Sequence, residues 1–163
     1  MKKWAAVMVV AIPAMAFGAE ETLFGVYSGM PKDELAESVV LGEATEVGQA
    51  TQHRSKQAPN NSYMADEYYY IFGDSGLCRM VTKLSDVRSM RNRLAQDLMA
   101  KYGKPVDYEG EDQTVPDDST HYPLSQYVLA DGVQDIILAP GYAEDSVSVV
   151  YLFDGYPDCQ QSE

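Results

Sequence analysis

Apolar positions along this chain follow two periods. Leu35, Ala36, Val39 and Val40 recur at helical spacing. Pro31 stands where a missing N–H costs nothing, and Asp33 and Glu34 place negative charge in the first turn. Gly42 fits the C-terminal cap. A second, longer stripe runs through Val87, Met90, Leu94, Leu98 and Tyr102 at spacings of three and four. Ser85 and Asp86 suit its start, and Lys101, Gly103 and Pro105 suit its end. Two helices are predicted.

The rest of the apolar pattern has period two. Leu23 to Tyr27 reads as a short strand closed by Ser28-Gly29. Tyr68, Tyr70 and Phe72 alternate with Glu67, Tyr69 and Ile71, then Gly73-Asp74-Ser75-Gly76 turns the chain and Leu77 to Lys83 returns it. Three more strands are predicted: Leu124 to Ala130, Val133 to Leu138 and Ser146 to Phe153. Asp131-Gly132 joins the first two as a hairpin. Residues 43–62 are polar and read as a loop ending in Gln57 to Ser62. The fold class is α+β: an antiparallel sheet with two helices packed on one face, an order that accommodates two tandem helix-plus-meander units.

The first residues belong to a different pattern. Met1-Lys2-Lys3 is basic, Trp4 to Ala16 is apolar, and small residues at Ala14, Ala16 and Gly18 suit signal peptidase. Residues 1–18 are expected to be a cleaved secretory signal. Residues 19–163 would then be one domain, periplasmic or secreted, with no membrane insertion after cleavage. Removing Lys2 and Lys3 leaves 10 basic residues against 25 acidic ones, a formal charge near −15. That sign disfavours nucleic acid and anionic lipid, and it suits a basic envelope protein as partner.

Cys78 and Cys159 are the only cysteines. In an oxidising compartment two thiols point to one disulfide. They lack the close spacing of a metal or redox pair, and no metal or cofactor is expected. His53 and His121 lie in polar stretches, and surface positions are expected for both.

Candidate chemistry is sparse. Gly73-Asp74-Ser75-Gly76 has the letters of a protease nucleophile loop, with His53 and Asp66 before Ser75. Only 22 residues separate His53 from Ser75, too short a span for the barrel that assembles such a triad, so an ordinary turn is expected. The acidic run Asp107, Glu109, Glu111, Asp112, Asp117 and Asp118 lacks EF-hand spacing and reads as a solvated segment. Tyr63, Tyr68, Tyr69 and Tyr70 are candidate binding residues, since tyrosine offers rigid area with a polar tip. Alternation in a strand divides the last three between two faces. Arg91 falls inside the apolar arc of the second helix, where it must snorkel or meet an acid such as Glu67 or Asp135.

Gly25-Val-Tyr-Ser-Gly29-Met30-Pro31-Lys32-Asp33-Glu34-Leu35 resembles the G-M-x-x-x-E-[VL] start of the small exported SmpA/BamE-like and β-lactamase-inhibitor-protein-like domains. Pro31 stands where a Ser or Thr cap is usual, and no lipidated cysteine is present. The resemblance implies a helix followed by an antiparallel meander, and action by binding other proteins. The function expected is thus an exported binding or inhibitory module working by protein–protein contact, not an enzyme. The alternatives are a hydrolase using carboxylates of the 107–118 segment, or a structural envelope protein.

Overall fold

The computed structural model describes residues 21–85, 88–107, 120–121, 132–140 and 146–159. The expected signal segment, the strand at Leu124 to Ala130, and all of the acidic run except Asp107 lie outside these residues. Within them the chain is α+β. Helix α1 (Lys32–Ser38) precedes β1 (Ala44–Val47), β2 (Ala50–Ser55), β3 (Glu67–Gly73) and β4 (Gly76–Ser85). Helix α2 (Arg88–Tyr102) precedes β5 (Val106–Asp107), β6 (Thr120–His121), β7 (Val133–Pro140) and β8 (Ser146–Phe153). A one-turn 3-10 helix, Tyr156–Cys159, follows.

All strands join one sheet in the order β1-β2-β3-β4-β8-β7-β6-β5, every neighbour antiparallel. The layout is a helix plus a four-strand meander, twice, with the two meanders abutting through their last strands. Register at that seam sets Met80 opposite Tyr151, Thr82 opposite Val149 and Leu84 opposite Val147.

These residues share one face with Tyr68, Tyr70, Phe72, Ile136, Leu138 and Phe153, and both helices pack there. Leu35 and Val39 come from α1; Leu94, Leu98 and Tyr102 come from α2. The core is rich in rings. Phe24 is fully buried, 5.4 Å from Tyr63, 5.9 Å from Tyr68 and 6.1 Å from Tyr151 between ring centroids. Thr82, a buried polar member of this face, exchanges hydrogen bonds with the Val149 backbone, donating at 3.2 Å and accepting at 3.0 Å. A buried hydroxyl so satisfied carries no desolvation penalty.

Several expectations need correction. Leu23 to Tyr27 is a turn-rich segment, not a strand. Its carbonyls at Leu23 and Phe24 accept from Asn60 at 2.9 Å each, so the Phe24 ring drops into the core while the backbone pairs with a loop. Gly42 does not cap α1. The helix ends at Val39, whose N–H returns to Leu35, and the Gly42 N–H donates to Arg54 at 2.7 Å. Val40, expected on the apolar stripe, is exposed.

Residues 43–62 are not one loop. They contain β1 at the sheet's edge and β2 beside it, two strands that their polar side chains conceal. Ser85 belongs to β4, and its hydroxyl donates to Asp66 at 2.6 Å. His53, expected at the surface, is buried, with Nδ1 2.9 Å from the Gly42 carbonyl and its ring edge-on to Phe72. Arg91 is exposed. Glu67 and Asp135 both stand on the sheet face away from α2, and Glu67 is held by Arg54 and Lys56.

Other expectations hold as residues in place. Leu94, Leu98 and Tyr102 are buried along α2, with Met90 packed against the core. Gly103, at φ 98°, closes that helix with its N–H on Met99 at 3.0 Å. The last strand runs from Ser146 to Phe153.

Candidate functional site

The sheet has a second face, and it divides into two ends. At one end Ile71, Cys78, Ala50 and Cys159 form a buried cluster, with Tyr69, Val81 and Tyr156 packed against it. Cys78 and Cys159 are disulfide-bonded, their Cα atoms 6.0 Å apart. The bond holds the terminal 3-10 helix over β3 and β4, where Tyr156 meets the Arg79 guanidinium at 5.8 Å. Ile137, Ala139, Val150 and Leu152 continue the apolar surface across β7 and β8.

The other end is charged. Arg54 on β2 stands opposite Tyr69 on β3, and Glu67 on β3 stands opposite Lys83 on β4. Paired residues in an antiparallel ladder share a face, so these four side chains converge. Glu67 forms an ion pair with Arg54 and another with Lys56 at 3.4 Å. The Tyr69 hydroxyl donates to Glu67 at 2.5 Å and accepts from Lys83 at 3.1 Å. The Lys83 ammonium also lies 4.8 Å from the Tyr69 ring centroid, within cation–π range. Arg54 and Lys56 side chains are 58% and 69% exposed, while Glu67 is 15% exposed. One shielded carboxylate thus gathers two cations and a half-buried tyrosine, and the tyrosine's hydroxyl and ring hold a third cation.

Of the four tyrosines singled out in the sequence, Tyr69 alone reaches this face. Tyr68 and Tyr70 stack at 6.2 Å inside the core, and their hydroxyls donate to Asn61 at 2.8 Å and to the Gln57 carbonyl at 3.0 Å. Tyr63 is also buried and donates to Asp97 on α2 at 2.6 Å. Burial pushes the Tyr68 and Tyr70 hydroxyls above the usual tyrosine range, and burial with the Asp97 hydrogen bond does the same for Tyr63. These three serve packing. Arg54 on β2 and Lys56 just beyond it sit in the polar stretch 43–62 that reads as a loop, whereas Lys83 sits on a strand the sequence does predict, and nothing in the sequence marks it as a neighbour of the other two. The available signal was the two-residue spacing of Arg54 and Lys56, which fits one face of a strand.

The protease-like letters do not make a site. Asp66 is taken by Ser85, and His53 Nδ1 faces the Gly42 carbonyl. Ser75 lies in the β3–β4 turn beside an open depression of about 510 Å³ lined by Lys32, Gln49, Thr51 and Asp74 among others. The turn is there for packing: Gly76, at φ 99°, lets its Cα approach the Gly29 carbonyl so closely that a Cβ would sit 2.3 Å from that oxygen. Gly29 N–H donates to Leu77 at 2.9 Å, and Leu77 N–H returns to Met30 at 3.0 Å.

Among the described residues no group of three or more His, Cys, Asp or Glu is placed to hold a metal ion. No described helix is long and apolar enough to cross a membrane. Compared with protein-family models, curated proteins and solved structures, the chain matches none of them.

Proposed function

We propose that this chain is an exported, non-enzymatic binding or inhibitory module that acts by contact with another protein. The observation that carries the reading is the paired architecture, two helix-plus-meander units joined along β4 and β8 into one sheet. A helix followed by an antiparallel meander, as in each unit, is what the resemblance at Gly25 to Leu35 implies, and the members of that group act by binding. Tyr69 beside Arg54 on a partly open sheet face adds support, because tyrosine and arginine are the residues that most often dominate interface energetics. The Cys78–Cys159 disulfide accords with an oxidising compartment outside the cytoplasm.

The test is affinity capture with residues 19–163 in oxidised form against envelope and secreted fractions, followed by calorimetry on whatever is retained. One protein retained in near-stoichiometric amount, binding saturably, is the expected result. An eluate indistinguishable from that of bare resin rejects the reading.

A further inference from the structure

The mature chain carries 25 acidic residues against 10 basic ones, yet the open end of its second sheet face gathers three of those cations. Arg54 on β2, Lys56 just beyond its end and Lys83 on β4 surround Glu67 and Tyr69 of β3. Glu67 and its neighbour Asp66, whose carbonyl holds Lys56 and whose carboxylate accepts from Ser85, balance two of the three, which leaves one positive charge in excess in a strongly negative molecule. Exposure is distributed accordingly: the carboxylate is shielded and the two cations beside it point into water. A structural ion pair needs one cation for one acid. The surplus is what a partner can use.

We infer that this face of β2, β3 and β4 is a docking surface for an acidic segment of a partner protein. The inference rests on the protein-contact reading and sets the partner's charge at this face, opposite to what the chain's net charge suggests. Three features fit that occupant. Arg54 on β2 and Lys83 on β4 flank β3 from either side, so carboxylates along an extended peptide laid across the strands can meet them in turn. Tyr69 offers a ring between them, fixed by two hydrogen bonds and therefore ordered before binding. The tethered 3-10 helix covers the opposite end of the face, with Tyr156 on Arg79 and the disulfide at Cys78, and so confines contact to the charged end. The long-range field of the molecule repels an acidic partner, so attraction here is short-ranged and depends on this cluster.

The probe is fluorescein-labelled decaglutamate, titrated with the oxidised mature chain at low ionic strength and read by anisotropy, with decalysine as the opposite probe. Saturable decaglutamate binding is expected, weakened roughly tenfold or more in the Arg54→Ala, Lys56→Ala, Lys83→Ala triple variant. Glu67→Gln is expected to strengthen it severalfold, because it removes the shielded carboxylate that pairs with Arg54 and Lys56. Circular dichroism and thermal unfolding confirm that each variant folds. No decaglutamate binding, or equal binding to the triple variant, overturns the inference. So does patch-dependent self-association in sedimentation, which would make a second copy the occupant. Binding of decalysine alone also overturns it, yet leaves the broader contact reading standing. An empty affinity capture rejects that broader reading.

Discussion

The hydroxyl of Tyr63 donates to the carboxylate of Asp97 at 2.6 Å, tying the loop before β3 to the middle of α2. Arg93 lies 3.8 Å from the same carboxylate and 5.2 Å from the centre of the Tyr63 ring. The tyrosine is buried and the carboxylate is half-open, so the bond forms at the core's margin. Tyr63→Phe keeps the ring and removes the donor. We expect a loss of about 1–2 kcal/mol in denaturant unfolding, the range for a hydrogen bond to a charged group discounted for partial exposure. Unchanged stability would mean that Asp97 finds water as good a partner.

Alkaline pH should unfold the domain earlier than its carboxylates alone imply. Tyr27 is pushed up to about 12, first by the hydrogen bond it donates to Glu34 at 2.7 Å and then by burial. Tyr151, fully buried, is also pushed well above the usual tyrosine value, chiefly by desolvation. A raised pKa means that the protonated form is favoured in the folded state. The contribution is therefore complete below the unfolded value of about 10 and is lost as pH rises through the folded values. Thermal midpoints measured from pH 8 to 12 should be flat at first and fall above roughly 10. Tyr27→Phe should make the fall between about 10 and 12 shallower. A midpoint that declines steadily from pH 8 would point to other groups.

Gly76→Ala tests the approach between the β3–β4 turn and the chain before α1. The substitution demands a Cβ at φ 99°, 2.3 Å from the backbone oxygen of Gly29. Backbone cannot withdraw as a side chain can. A loss of at least about 2 kcal/mol is expected, combining left-handed strain with a displaced Gly29-Leu77 pairing. Gly155→Ala is the control, since its added Cβ would meet side chains at an ordinary 3.5 Å.

Leu94 is fully buried at the centre of the α2 stripe. Leu94→Ala should cost about 2–5 kcal/mol. A change under about 0.5 kcal/mol, typical of surface sites, would place the helix differently.

The Cys78–Cys159 bond spans a sequence separation of 81 residues. Thiol titration of the unreduced, unfolded chain should detect no free sulfhydryl. Replacing both cysteines by Ala should lower stability by about 2–5 kcal/mol, more through the unfolded chain than through lost contacts. Two reactive thiols per chain would contradict the bond.

Periodicity alone determined the elements whose side chains alternate sharply between water and core. Helix α2 and strand β8 were legible because Leu94, Leu98 and Tyr102, or Val147, Val149, Tyr151 and Phe153, each face one way. The disulfide was legible because only two cysteines exist. Strands β1 and β2 were not legible, since the edge strand β1 is largely exposed and β2 buries Ala50, His53 and Ser55 rather than large apolar residues, so their polar side chains imitate a loop. Phe24 misled for the opposite reason: its burial comes from a turn that lowers one ring between the sheet and α2, not from a strand. Tertiary structure alone decided that Tyr63, Tyr68 and Tyr70 pack inward while Tyr69 faces out, because a face acquires meaning only once both helices have covered one side of the sheet. It also brought Arg54, Lys56 and Lys83 around Glu67, residues up to 29 positions apart that only the β2-β3-β4 register makes neighbours.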